Sequence, residues 1–188
     1  FVVRADAIGV DGWPGGFTAR KGRLMTFLRQ PEQRLLSNYY WSKDQGQIGT
    51  DVDIKKWINI ELGLQSKMLV WKGEILSTGP LTSSQVSEAK IRLRTGFSFI
   101  GIFEEWNLSI CLFNTMFNLA CRSLEFSNAH PTRGKGGSNY DTAILNGWRD
   151  PYDNELYDLA VKLFETNLKK YNVSESSCQP CWHEAGLL

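Results

Sequence analysis

The pattern of apolar and polar positions predicts two units in which a short buried strand runs into a helix. In the first unit, an apolar run at Leu24–Leu28 precedes a helix over residues 31–43. Pro31 suits the first turn of that helix, because its missing N–H would have no partner there. In the second unit, the apolar run Phe97–Ile102 precedes a long, largely apolar helix over residues 105–122. Two such units favour an α/β fold with a parallel sheet.

Helical spacing of apolar residues, or a polar residue able to cap a helix, predicts three further helices. They cover residues 51–62, 82–94 and 154–171. Residues 64–80 are ambiguous: residues 68–71 fit either a strand or the end of a helix, and Gly79-Pro80 ends the segment. The glycine-rich stretch 127–141 is predicted to be a polar loop, and residues 172–188 an irregular tail. We therefore predict a single domain over residues 1–171, followed by that tail.

The junction between the first strand and its helix has the composition of an anion site. Arg29 stands at the carboxyl end of the strand, where open α/β sheets place their ligands. The helix start adds unpaired backbone N–H groups and the positive end of the helix dipole. Arg34 and Ser37 are three residues apart, so a guanidinium and a hydroxyl could face one bound group. The alternative is a structural helix in which Arg34 pairs with a neighbouring acid and Ser37 is a surface residue.

The motif R-x-P-x-x-R-x-x-S-x-Y, which begins at Arg29, resembles the 3′-phosphate-binding segment of sulfotransferases that use 3′-phosphoadenosine 5′-phosphosulfate (PAPS). It is most similar to that of the membrane-anchored glycan enzymes of the Golgi lumen, of the heparan sulfate 2-O-sulfotransferase kind. The resemblance covers about residues 24–171. It implies that Arg29 and Ser37 hold the 3′-phosphate of the nucleotide.

The second strand unit resembles the same family. The pair Ala89-Lys90 precedes the run F-S-F-I-G-I-F-E-E at residues 97–105, and the family has a similar strand that ends in an acidic pair. Phe103 stands where the family usually has threonine.

The loop R-G-K-G-G, which begins at Arg133, occupies the place of a basic loop that covers the 3′-phosphate in many sulfotransferases. Glycine lets a backbone approach a phosphate closely. The resemblance therefore adds Arg133 to the cofactor-binding residues, with a solvated surface loop as the alternative.

The resemblance implies a sulfotransferase-like fold, in which helices flank a P-loop-type parallel sheet. It also implies transfer of a sulfuryl group from PAPS, as co-substrate, to a hydroxyl of a glycan acceptor, without a metal. The catalytic base is not identified: the family's histidine would lie about twenty residues before Arg29, where residues 4–8 contain Asp6 and no histidine. The family's phosphosulfate loop has no counterpart before Leu24.

We therefore expect the N-terminal part of the domain to be missing from this sequence, and a further chain or N-terminal segment to complete the site. The alternative is a catalytically inactive sulfotransferase-like subunit with a structural or binding role.

Charge and cysteine content narrow the class of protein further. The chain has 21 basic and 20 acidic residues and a net charge of +1, so no electrostatic signature of nucleic-acid binding is present and an anion site must be local. No apolar run is long enough to span a bilayer. Cys111 is interpreted as a small buried apolar residue.

The spacing C-x-x-C at Cys178 and Cys181 is compatible with a redox pair, half of a zinc site or one end of a disulfide set. A disulfide from this pair, for example to Cys121, is favoured and would fit an oxidising compartment. With the family resemblance, this predicts the Golgi lumen or another secretory compartment. Two sequons, at Asn107 and Asn172, predict a glycoprotein, and Asn172 is the better candidate because it lies near a predicted surface end.

Overall fold

The computed structural model of the chain describes residues 16–49, 51–70, 79–127 and 139–188. These residues form a mixed α/β fold that is mostly helical and contains a small parallel sheet of two strands. The elements in chain order are α1 (Gly16–Arg20), β1 (Leu24–Leu28), α2 (Pro31–Asp44), α3 (Ile54–Glu61), α4 (Leu64–Val70), α5 (Ser83–Gly96), β2 (Phe97–Ile102), α6 (Trp106–Phe117), α7 (Asp153–Lys170) and α8 (Glu175–Glu184), with 3-10 turns at Ser123–Phe126 and Thr142–Leu145.

The two predicted strand–helix units are confirmed, and their strands pair in parallel. Leu24 is opposite Phe97 and Leu28 is opposite Ile102, so both strands end at the same edge of the sheet. Gly101 lies under the ring of Phe27, where an added Cβ would come within 2.5 Å of a ring carbon. A glycine is therefore needed at this position of β2.

Two apolar clusters hold the helices in place. The larger one joins the sheet to α5, α6, α7 and α8, and its fully or almost fully buried members include Leu28, Leu93, Phe99, Leu112, Leu156 and Phe164. The smaller one joins α2 and α3 to the 3-10 turn at Thr142–Leu145, through residues such as Leu36, Trp57 and Leu145. The first cluster supports β1 from one side, and the second fixes the direction of α2.

The predicted irregular tail is wrong, because residues 175–184 form α8. Ser174 opens this helix: its hydroxyl accepts the N–H of Ser177, while the Ser177 hydroxyl accepts the N–H of Ser174. A sequence rich in serine is compatible with a loop as well as with a helix. The helical conformation here depends on contacts that attach this segment to the rest of the chain.

Two disulfides anchor α8 to the segment around α6. Cys121 is bonded to Cys181, which confirms the favoured pairing, and Cys111 is bonded to Cys178. The interpretation of Cys111 as a simple apolar residue is therefore wrong, and the C-x-x-C pair is neither a zinc half-site nor a redox pair. The spacing of three places Cys178 and Cys181 on one face of α8, toward their partners. Two disulfides indicate an oxidising environment, secreted or lumenal.

Residues 64–70, which the sequence left open, are helical. The helix α6 ends earlier than predicted, at Phe117, because Asn118 adopts a left-handed conformation with φ of 52° and terminates it. Among the described residues, no helix has the length and apolar character needed to cross a membrane.

Candidate functional site

Arg29 is located at the carboxyl end of β1, as the sequence predicts. Its backbone is held by the side chain of Gln65 from α4: the Arg29 N–H donates to Gln65 Oε1 at 3.0 Å, and Gln65 Nε2 donates to the Arg29 carbonyl at 3.0 Å. Gln65 thus pairs with the chain where the strand ends, in the manner of a neighbouring strand. These two contacts hold the Arg29 backbone at the edge of the sheet.

The guanidinium of Arg29 lies between two aromatic rings and a carboxylate. Its carbon is 4.6 Å from the ring centre of Phe103 and 5.6 Å from that of Tyr140, and Nε is 3.9 Å from Glu104 Oε1. Only 12% of the side chain is exposed. Burial lowers the pKa of Arg29, and the Glu104 carboxylate opposes that shift. A guanidinium retains its charge under these conditions, so the sheet edge carries a poorly hydrated cation.

Glu104 occupies the junction for which the sequence predicts an anion. Its Oε1 accepts the N–H of Gln30, at the start of α2, at 3.0 Å, and its Oε2 accepts the hydroxyl of Tyr157 at 2.9 Å. Burial, followed by the charge of Glu104, raises the pKa of Tyr157. A carboxylate at this place stabilises the positive end of the α2 dipole. The Glu104 carboxylate thus supplies, at the start of α2, part of the negative charge that a bound phosphate would supply.

Ser37 lies on the face of α2 that contacts the segment around Tyr140. Gln33, one turn earlier, exchanges two hydrogen bonds with the backbone of Tyr140, at 2.8 and 2.6 Å. Tyr40, one turn later, stacks on the Tyr140 ring with centroids 5.5 Å apart. Residues at positions i, i+4 and i+7 share one face of a helix, so Ser37 lies between these two contacts. Arg29 and the Ser37 face therefore both border Tyr140.

Arg34 points away from that face. Its Nη1 donates to Glu61 Oε2 at 2.6 Å and its Nη2 donates to the Glu61 carbonyl at 3.1 Å, while Asn38 donates to the other carboxylate oxygen at 2.9 Å. Glu61 is fully buried. The expectation that Arg34 and Ser37 face one bound group is wrong, and the structural alternative for Arg34, an ion pair with an acid, is confirmed.

Sequence reasoning missed a group of buried carboxylates beside Arg34 and Gln65. The members are Glu32, Glu61, Asp150 and Asp153. Asp153, in the first turn of α7, accepts the N–H groups of Gln65 and Ser66 at 2.9 and 2.8 Å and so caps α4. Burial, followed by the charge of Asp150, raises the pKa of Asp153 to about 6, while Arg34 acts in the opposite direction.

The other two acids tie the helix starts together. Asp150 accepts the N–H of Gly63 at 2.8 Å, and Glu32 accepts the N–H of Asp150 at 3.1 Å and the side-chain amide of Asn154 at 2.8 Å. The starts of α2, α4 and α7 are thus held together next to Arg29. The sequence signal for this group is the pair of aspartates on either side of Pro151. Such a pair predicts the start of a helix, but it does not identify the groups that the aspartates contact.

The remaining predicted residues are placed as follows. Arg133 lies outside the described residues, as does Asp6. Of the pair Ala89-Lys90, Ala89 is fully buried against the sheet, and Lys90 Nζ forms an ion pair with Glu155 of α7 at 2.6 Å. In the described part of the chain, no cluster of three His, Cys, Asp or Glu residues is arranged to hold a metal ion.

No protein-family model, curated protein or solved structure matches this chain.

Proposed function

We propose that this chain is the nucleotide-binding part of a PAPS-dependent glycan sulfotransferase with the sulfotransferase fold of a P-loop-type parallel sheet flanked by helices. Arg29 and Ser37 would hold the 3′-phosphate, and Arg133 would contribute from the basic loop. The acceptor would be a hydroxyl of a glycan, and the site of action the Golgi lumen. A further segment or chain would supply the phosphosulfate loop and the base.

The observation that carries this proposal is the placement of the R-x-P-x-x-R-x-x-S motif. The motif coincides with the end of a parallel strand and the first two turns of the following helix, the location at which α/β folds bind phosphates. Arg29 supplies a cation at the edge of the sheet, and Ser37 presents a hydroxyl on the helix face that meets Tyr140. An ion pair with Glu61 removes Arg34 from this role, so the motif contributes two ligands instead of three.

Sulfuryl transfer needs groups that hold the nucleotide while the acceptor oxygen attacks in line. A 3′-phosphate bound by Arg29 and Ser37 would position the nucleotide, because charge-assisted hydrogen bonds are strong and directional. The N–H of Gln33, in the first turn of α2, already donates to the Gln30 side chain at 2.8 Å. PAPS itself supplies the sulfuryl group. The residues described here serve binding and orientation, and proton transfer from the acceptor would fall to the completing segment.

One observation favours a second candidate, a sulfotransferase-like subunit without catalytic activity. Glu104 accepts the N–H of Gln30 and lies beside the guanidinium of Arg29, so two donors of the proposed phosphate site already have a protein carboxylate as a partner. If Glu104 always occupies these donors, the junction between β1 and α2 has a structural role and binds no phosphate. If the carboxylate rotates away, the same donors bind a phosphate.

The direct test is calorimetric titration with adenosine 3′,5′-bisphosphate and, in parallel, with adenosine 5′-monophosphate, which lacks the 3′-phosphate. We expect the bisphosphate to bind at least tenfold more tightly. Arg29→Ala should reduce its affinity by roughly ten- to a hundredfold and Ser37→Ala by about tenfold, since each removes a hydrogen bond to a charged group.

The matched controls are Arg94→Ala and Ser87→Ala, which change exposed residues of α5. Both controls should bind like the unmodified chain. Equal affinity for the two nucleotides, or a loss in the controls as large as in the site variants, would contradict the 3′-phosphate site.

Glu104→Gln distinguishes the two candidates. Removing the competing negative charge should tighten binding of the bisphosphate if the first candidate is right, because the Glu104 carboxylate then no longer competes with the phosphate. Under the second candidate the variant binds no nucleotide and only loses stability. The melting temperature without ligand, measured beside the titration, reports the second effect separately.

A further inference from the structure

We propose that Asn172 carries an N-linked glycan. The sequon Asn172-Val173-Ser174 lies in the turn between α7 and α8, and the Asn172 side chain is exposed. The proposal does not depend on the function proposed above.

The backbone at Asn172 forms the turn that ends α7, and the residue is exposed there. Asn172 has φ of 52°, its N–H donates to the Lys169 carbonyl at 3.3 Å, and the N–H of Val173 donates to the Leu168 carbonyl at 2.9 Å. This is the Schellman arrangement that ends a helix, with Asn172 at its left-handed position. Val173 is buried and holds the turn to the core. Because the Asn172 side chain is exposed, a large substituent on its amide can be accommodated.

The environment of the chain also fits this modification. The two disulfides place the chain in an oxidising secretory compartment, which is where N-linked glycans are added to newly made chains. Both bridges attach α8, which begins three residues after Asn172. The sequon therefore belongs to a part of the chain that must enter that compartment before it can reach its final structure.

A glycan at Asn172 would leave the candidate site open. The helix α7 has 18 residues and is thus about 27 Å long. Its first turns contact Glu32 and Glu104 through Asn154 and Tyr157, while Asn172 follows its last turn. The glycan would project from the end of α7 that is remote from Arg29.

The serine of the second sequon, at Asn107, has a structural role. The hydroxyl of its Ser109 is fully buried, where it donates to the Ile102 carbonyl at 3.0 Å and accepts the Ile102 N–H at 2.9 Å, so it ties α6 to the end of β2. The Asn107 carbonyl accepts the indole N–H of Trp182 at 3.4 Å. A glycan here would stand over the contact between α6 and α8.

The reaction requires a lipid-linked oligosaccharyl pyrophosphate as donor. The Asn172 amide nitrogen forms a bond to the anomeric carbon of the first sugar, the bond from that carbon to the pyrophosphate oxygen breaks, and the amide loses one proton. The lipid pyrophosphate is the leaving group, and the proton from the amide passes to the surrounding water. No oxidation or reduction takes place.

The test uses the full chain produced through the secretory pathway of eukaryotic cells. Its intact mass is measured before and after peptide N-glycosidase in ¹⁸O-labelled water, and the tryptic segment 171–188, which contains a single asparagine, is sequenced by mass spectrometry. We expect the enzyme to remove one glycan and to leave labelled aspartate at position 172.

Three variants separate the sequon from the fold. Asn172→Gly removes the acceptor but suits the left-handed backbone, and Ser174→Asp removes the sequon but retains an N-cap for α8. Both should be secreted without the glycan. Ser174→Thr retains both features and should be glycosylated. An unmodified Asn172 in the secreted chain, or a glycan that Asn107→Gln removes and Asn172→Gly does not, would overturn the proposal.

Discussion

The ion pair of Arg34 and Glu61 has a fully buried carboxylate, and its effect on stability can be predicted. Arg34→Met would leave the fully buried Glu61 carboxylate without its cation, so we expect the free energy of unfolding to fall by about 3–5 kcal/mol. Urea denaturation monitored by circular dichroism measures this change.

The exposed Arg94→Met, in α5, is the control and should change the free energy of unfolding by less than about 0.5 kcal/mol. The double variant Arg34→Met, Glu61→Leu removes both charges and should be more stable than Arg34→Met alone. A single variant no less stable than the control would show that the ion pair is not formed.

At this scale the sequence predicts where Arg29 lies but not what surrounds it. Its position at the end of β1 follows from a local pattern, an apolar run followed by a proline-led helix. Its neighbours Phe103 and Tyr140 come from distant parts of the chain, and so does Glu61, the partner of Arg34. Such partners depend on how helices are oriented in the fold, and residue spacing within one segment carries no information about that.

At the scale of elements, β2 depends on the absence of a side chain at Gly101. Gly101→Ala would place a Cβ within 2.5 Å of the Phe27 ring, so we expect a loss of about 1–3 kcal/mol in the free energy of unfolding. Gly79→Ala is the matched control, because no heavy atom of the described residues lies within 4 Å of its added Cβ. Combining Gly101→Ala with Phe27→Leu should restore part of the loss. If both glycine variants behave alike, the strands are not packed in this way.

The attachment of α8 to α6 yields a second prediction for the elements. Replacing Cys121 and Cys181 with serine opens one bridge while Cys111–Cys178 remains. The remaining bridge shortens the path between the two positions to an effective loop of about 13 residues, so we expect a loss of about 3 kcal/mol instead of the roughly 4 kcal/mol of an isolated 60-residue loop.

Hydrogen exchange identifies where that loss occurs. The amides of residues 175–184 should exchange faster in the double serine variant, while those of α5 should be protected as before. Unchanged exchange in α8 would mean that its packing, and not the bridge, holds it.

The elements themselves could largely be predicted. Both strands and the helices α2, α5 and α7 appear within a few residues of the predicted bounds, because each has an apolar period or a capping residue of its own. The helix α8 could not be predicted, since its sequence is polar and its docking depends on covalent bonds to distant cysteines. Residues 64–70 were ambiguous because the Asp153 carboxylate that caps α4 comes from another helix.

At the scale of the whole molecule, the buried carboxylates predict an unusual dependence of stability on pH. The folded state holds a proton on Asp153 up to about pH 6, whereas an unfolded aspartate releases it near 3.8. The folded state thus binds more protons between these values, and the contribution of Asp153 to stability is present at low pH and lost as the pH rises. The size of this contribution is on the order of 3 kcal/mol.

The comparison that isolates it is the difference in free energy of unfolding between the unmodified chain and Asp153→Asn. Both proteins are measured by urea denaturation from pH 4 to pH 7. The unmodified chain should lose stability relative to Asp153→Asn as the pH rises. Asp158→Asn, at an exposed position of the same helix, should give a constant difference. A constant difference for Asp153→Asn as well would mean that Asp153 is ionised throughout this range.

The order of the cysteines along the chain has a consequence for a nicked form of the protein. Cys111 and Cys121 precede residues 122–177 and their partners follow them, so every peptide bond in that interval is spanned by both bridges. A protease that cuts once in this interval should give two polypeptides that migrate together on a non-reducing gel and separate only after thiol treatment.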